Sequence, residues 1–68
     1  MSELNLKTPK EVVKTVIFMR DCGFREATFD WKNINLGKIK KHTLIKICRK
    51  YGKVSYKLHG FLIKFIYS

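Results

Sequence analysis

Sixty-eight residues, 46% of them hydrophobic, carry fifteen Lys and Arg against five Asp and Glu. That length and composition describe one small folded domain, with no room for a second core or a separate catalytic module and too many apolar residues for a disordered chain. The formal charge of +10 repels itself in the compact state, and a polyanion relieves it: nucleic acid, acidic lipid or an acidic protein surface.

Residues 1–7 show no periodicity and read as a flexible N-terminal arm, which leaves 8–68 as the single domain. Thr8-Pro9-Lys10-Glu11 is a helix start, with Thr8 as cap, Pro9 at the first helical position and Glu11 completing a capping box. Val12, Val13, Val16 and Ile17 follow at helical spacing, with Lys10, Lys14 and Asp21 on the other side, so a helix is predicted over about 9–22. Gly23 is placed to end it in the left-handed conformation, with Phe24 folding back on the last turn.

From Phe24 to Gly37 two readings stay open. Thr28 or Asp30 can cap a short helix through Asn33, or Arg25 to Phe29 can form a strand. Phe29 and Trp31 read as core, and Asn35-Leu36-Gly37 as a turn. A second helix is predicted from about Ile39–His42 to Tyr51, burying Leu44, Ile47, Cys48 and Tyr51. Lys46, Arg49 and Lys50 project from its opposite side, Lys53 follows, and Gly52 ends it.

The last segment has period two. With His59-Gly60 as a two-residue turn, Leu58 faces Phe61, Tyr56 faces Ile63 and Val54 faces Phe65, and all six point inward. Leu62 and Ile66 then lie on the outer face beside an unpaired final strand, an edge that invites a homodimer.

Cys22 and Cys48 each sit in an apolar helical pattern and read as buried free thiols. Cys22, His42, Cys48 and His59 lack the short paired steps of a structural zinc site, so neither metal nor other cofactor is expected. The five acids are scattered and no nucleophile neighbours a base, which argues against an enzyme. The longest strongly apolar run, Val16-Ile17-Phe18-Met19, is far shorter than a membrane span, and no signal peptide is recognisable. The cytoplasm is the expected location, or the nucleus in a eukaryotic cell.

Helix, short element, Gly37 turn, basic helix around Lys41-His42-Thr43-Leu44-Ile45-Lys46, then the hairpin Val54 to Tyr67: this order resembles a winged helix-turn-helix domain. The likeness covers roughly the last half of the chain, with Val12 to Met19 as the supporting helix. It departs from the pattern at Asn33 and Lys38, where a small residue and an apolar one are usual. The resemblance implies an α+β fold of two or three helices followed by a C-terminal β-hairpin. It also implies a small double-stranded DNA-binding transcriptional regulator that lays helix 39–51 in the major groove, with hairpin 54–67 as a wing.

On that reading Lys38, Lys40 and Lys41 strengthen the field at the helix start. His42, Thr43, Lys46 and Arg49 approach base edges, and Lys50, Lys53, Lys57 and Lys64 contact phosphates. With one Arg and no Asn or Gln on the helix, phosphate contacts dominate over base readout. The alternative is a protein-interaction module or inhibitor, of a viral or mobile-element kind, docking on an acidic partner. RNA ranks below DNA because the hairpin aromatics are expected to turn inward. A membrane-surface role is not expected.

Overall fold

Thr8 starts the first helix through local chemistry that needs no tertiary help. Its hydroxyl accepts from the Glu11 N–H at 3.2 Å, while the Glu11 carboxylate accepts from the Thr8 N–H at 3.0 Å. The computed structural model describes residues 6–67, so the expectation for residues 1–5 lies outside the described residues. Lys7 is held: its N–H donates to the Asn33 carbonyl and its own carbonyl accepts from Asn35 N–H.

The elements are helix α1 (Pro9–Asp21), strand β1 (Glu26–Asp30), a 3-10 turn (Trp31–Asn33), helix α2 (Lys41–Gly52), and strands β2 (Val54–His59) and β3 (Leu62–Tyr67). The fold is therefore α+β, with two helices and a three-stranded antiparallel sheet in the order β1-β3-β2. Both readings left open for residues 24–37 hold in part: β1 forms, and Asp30 then caps the 3-10 turn by accepting from the Lys32 N–H.

Gly23, at φ 87, closes α1. Its N–H donates to Arg20 and that of Phe24 to Met19, the paired bonds of a Schellman motif. Cys22, expected as a buried thiol, is instead the exposed C-cap of α1; Cys48 alone is buried.

The helices cover the sheet face that carries Ala27, Phe29, Ile63 and Phe65, which join Val12, Val16, Leu44 and Cys48 in one core. Phe29 and Phe65 meet edge to face, with ring centroids 5.9 Å apart. On β1 and β3 the alternate residues Thr28, Leu62 and Lys64 point away from the helices and are exposed.

Several sequence expectations need correction. The hairpin turns at Gly60-Phe61, so Leu58 faces Ile63, Tyr56 faces Phe65 and Val54 faces Tyr67. Gly60 takes the first turn position at φ 62 while Phe61 keeps a negative φ, the pattern of a turn with glycine first. This register is two residues away from the expected one, so every side chain keeps its side of the sheet. Alternation alone therefore cannot distinguish the two registers.

The inward side of the hairpin also outruns its cover. Phe61 is 62% exposed, Leu58 57% and Tyr56 38%, so these three are not core. Nor is β3 an edge: it lies between β1 and β2, and the free edges belong to those two strands. The premise for a homodimer through the C-terminal strand edge is thereby removed.

In α2 the buried set is Leu44, Ile45, Cys48 and Gly52, rotated away from the expected stripe; Tyr51 is exposed and Ile47 half-buried. Gly52 stays helical, and Lys53 takes the left-handed cap at φ 55. The reason is packing. A Cβ on Gly52 would sit 2.8 Å from Val16 Cγ1, so the glycine serves the contact between the helices rather than the turn.

Candidate nucleic-acid interface

The charge of this chain is divided sharply along its length. Residues 1–30 hold five Lys and Arg and five Asp and Glu, while residues 31–68 hold ten Lys and Arg and no acid. The four acids within the described residues are also engaged locally. Glu11 caps α1, Asp30 caps the 3-10 turn, Asp21 pairs with Arg20 at 3.4 Å and Glu26 with Lys64 at 3.1 Å. The backbone hydrogen bond from Thr8 is the main cause that lowers the Glu11 pKa. The excess positive charge therefore belongs to α2, its approach loop and the hairpin.

Because α2 buries Leu44, Ile45, Cys48 and Gly52, the helical period turns His42, Lys46, Arg49 and Lys50 to solvent on the opposite side. All four are exposed, and Thr43 between them is half-buried. Lys53 continues this face beyond the helix end, and its left-handed backbone turns the chain back into β2.

The N-terminal end of α2 is unusual in its chemistry. Lys40 is the N-cap and makes no side-chain cap bond, and the first turn contains no acid. Lys38, Lys40 and Lys41 are all exposed there. Three cations at the positive end of a helix dipole oppose the fold, and an anion bound at the free N–H groups reverses that sign. Lys41 also lies over the Trp31 ring, its Nζ 5.3 Å from the centroid. Its stem covers the edge of a ring that is otherwise core.

Neighbouring side chains extend this surface in ways the periodicity did not reveal. Lys32 sits 4.7 Å from the centroid of Phe61, and Arg49 sits 5.7 Å from that of Tyr56. Lys10 and Lys14 of α1 flank an apolar groove of about 300 Å³ that also touches Ile39 and Ile47. Exposed cations and half-exposed aromatics thus alternate around α2 and the hairpin end. The signal for Lys32 was present in the sequence as the absence of any acid after Asp30; the placement of Tyr56 and Phe61 depended on the register.

Lys57 and Lys64 do not join this surface. They face each other across β2 and β3 on the sheet's outer side, away from the helix layer. Leu62 lies on that side too, 39% exposed, as expected. Arg20, by contrast, is structural: its guanidinium donates to the carbonyls of Tyr51 and Gly52 at 3.1 and 3.4 Å and closes the C-terminal end of α2.

Burial pushes the Cys48 thiol up to about 12, so it stays protonated and unreactive near neutrality. Among the described residues no three His, Cys, Asp or Glu side chains gather as metal ligands. No helix among them is long and apolar enough to cross a membrane.

Fold and surface together define a small α+β domain whose one strongly basic helix is exposed along its length. No protein-family model matches the chain, and no curated protein or solved structure matches it.

Proposed function

We propose that this chain binds nucleic acid as a small double-stranded DNA-binding regulator, with α2 entering the major groove and the β2–β3 hairpin serving as the wing. The observation that carries this reading is the solvent face of α2. His42, Lys46, Arg49, Lys50 and Lys53 share it with no acid among them, and the helix begins at an uncapped, lysine-rich end. Twelve residues of helix span about 18 Å, and the major groove is wide enough to admit them.

The winged helix-turn-helix reading draws further support from β1, which supplies the core strand to which a wing returns. The middle helix of that plan is reduced here to the Trp31–Asn33 turn. In the proposed complex the α2 N-terminus and Lys38, Lys40 and Lys41 meet one phosphate run, and Lys50 and Lys53 meet the other. His42, Thr43, Lys46 and Arg49 lie against base edges. Only Arg49 offers a two-pronged donor, so affinity comes mainly from phosphate neutralisation and specificity from duplex shape.

Titration of a labelled random duplex by fluorescence anisotropy across a salt series tests this. Neutralising about four to seven phosphates gives a log–log slope of roughly −4 to −6. A flat salt dependence, or no binding at low salt, rejects the proposal and directs attention to an acidic protein partner.

One observation favours a second reading. Tyr56 and Phe61 are exposed beside Arg49 and Lys32, which is the pairing of stacking ring and cation that single strands use. Competition by an unlabelled single strand at lower concentration than duplex would favour that reading.

A further inference from the structure

The sheet's outer face carries charge that the α2 surface does not use. Lys57 and Lys64 stand directly opposite each other on β2 and β3. Like charges placed so oppose the pairing of their strands, and only Lys64 has an acid, Glu26, at 3.1 Å. On one side of this pair a groove of about 630 Å³ continues to Arg25, Phe24 and Ile66. On the other side a second hollow, of about 350 Å³, continues to Thr28, His59 and Leu62. Lys57 and Lys64 line both, so a single trough runs along the face from the end of α1 toward the hairpin tip. Its cations outnumber its one acid, and its floor is apolar, which suits an extended anion with a low charge density between its phosphates.

We propose that this trough is a second phosphate-binding site that takes the backbone of another nucleic-acid segment, so that one domain bridges two. The bridging rests on the proposed function of α2; the site itself rests on the trough alone. The helices cover the opposite face of the sheet, so the two surfaces look in different directions and a straight duplex on α2 leaves the trough open. Arg25 and Lys57 are its free cations, because Lys64 is shared with Glu26 and Arg20 is held at the end of α2.

Two measurements test this. The first is amide chemical shifts during titration with tripolyphosphate. The inference expects a set of changes centred on Arg25, Lys57 and Lys64 that disappears in R25E/K57E. Absence of that set overturns the site, whatever α2 does. The second is energy transfer between donor- and acceptor-labelled duplexes mixed with protein. The wild type brings the labels together, and R25E/K57E reduces transfer at least about ten-fold while binding one trace duplex within roughly three-fold of wild type. Normal binding of one duplex without transfer overturns the bridging alone. Failure to bind even one duplex overturns the α2 reading, and the bridging with it, while the tripolyphosphate result still decides the trough.

Discussion

Gly52 lies so close to Val16 that a Cβ on the glycine would stand 2.8 Å from Val16 Cγ1. Val16 is fully buried, its β-branched side chain has little rotamer freedom, and the Arg20 guanidinium clamps the same helix end through the Tyr51 and Gly52 carbonyls. Replacing Gly52 with Ala is expected to destabilise the fold by about 1–3 kcal/mol through overpacking. Urea unfolding measures this, and an unchanged midpoint would show that the helices separate easily at this point.

Lys53 carries the left-handed backbone that Gly52 leaves to it. A lysine there is disfavoured against glycine by roughly 1 kcal/mol. Lys53→Gly should therefore raise stability by about 0.5–1 kcal/mol and weaken duplex binding slightly through the lost charge. Destabilisation by this change would contradict the assigned geometry.

Cys48 is fully buried, and burial pushes its thiol up to about 12. The unfolded chain releases that proton near pH 8.5 while the folded chain holds it. The resulting stabilisation is complete below the unfolded pKa and is lost as pH rises toward about 12. Tyr67, also raised mainly by burial, and hydrogen-bonded to the Val16 carbonyl at 2.6 Å, acts in the same direction at the alkaline end. Cys48→Ala should lower stability at pH 7 by about 1 kcal/mol and flatten its decline between about pH 9 and 11. Identical pH slopes for the two proteins would remove Cys48 from the account.

The lysine-rich start of α2 sets stability against binding. Lys40→Asp supplies the missing cap and places an anion at the positive helix end, which should stabilise the domain by about 1 kcal/mol. The same change should weaken duplex binding several-fold, about the effect of losing one phosphate contact and adding a repulsion. A variant that is both more stable and tighter would contradict the role given to this end.

What the sequence made legible was governed by short-range rules. The Thr8 capping box, the Gly23 helix end and the exposure of Lys46, Arg49 and Lys50 follow from spacings of three to four residues, and the structure has them. The hairpin register was not legible, because a two-residue slip preserves alternation and only the conformation of Gly60 separates the choices. The helical Gly52 and the central position of β3 depend on partners far along the chain, Val16 and β1, which local patterns do not encode. In the candidate site the lysines were legible as a set, and so was the lack of acids after Asp30. Their separation into a helix face and a sheet face followed only from knowing which side of the sheet the helices cover.

The most direct test of a localised binding face compares two variants that change net charge equally. K46E/K50E reverses charge on α2 and R25E/K57E reverses it on the outer sheet, and each is titrated against a trace labelled duplex across a salt series. The account predicts that K46E/K50E weakens binding at least ten-fold and makes the salt slope shallower by about 2, while R25E/K57E stays within roughly three-fold of wild type. Equal weakening by both variants would mean that the duplex responds to total charge alone and that α2 is not the binding face.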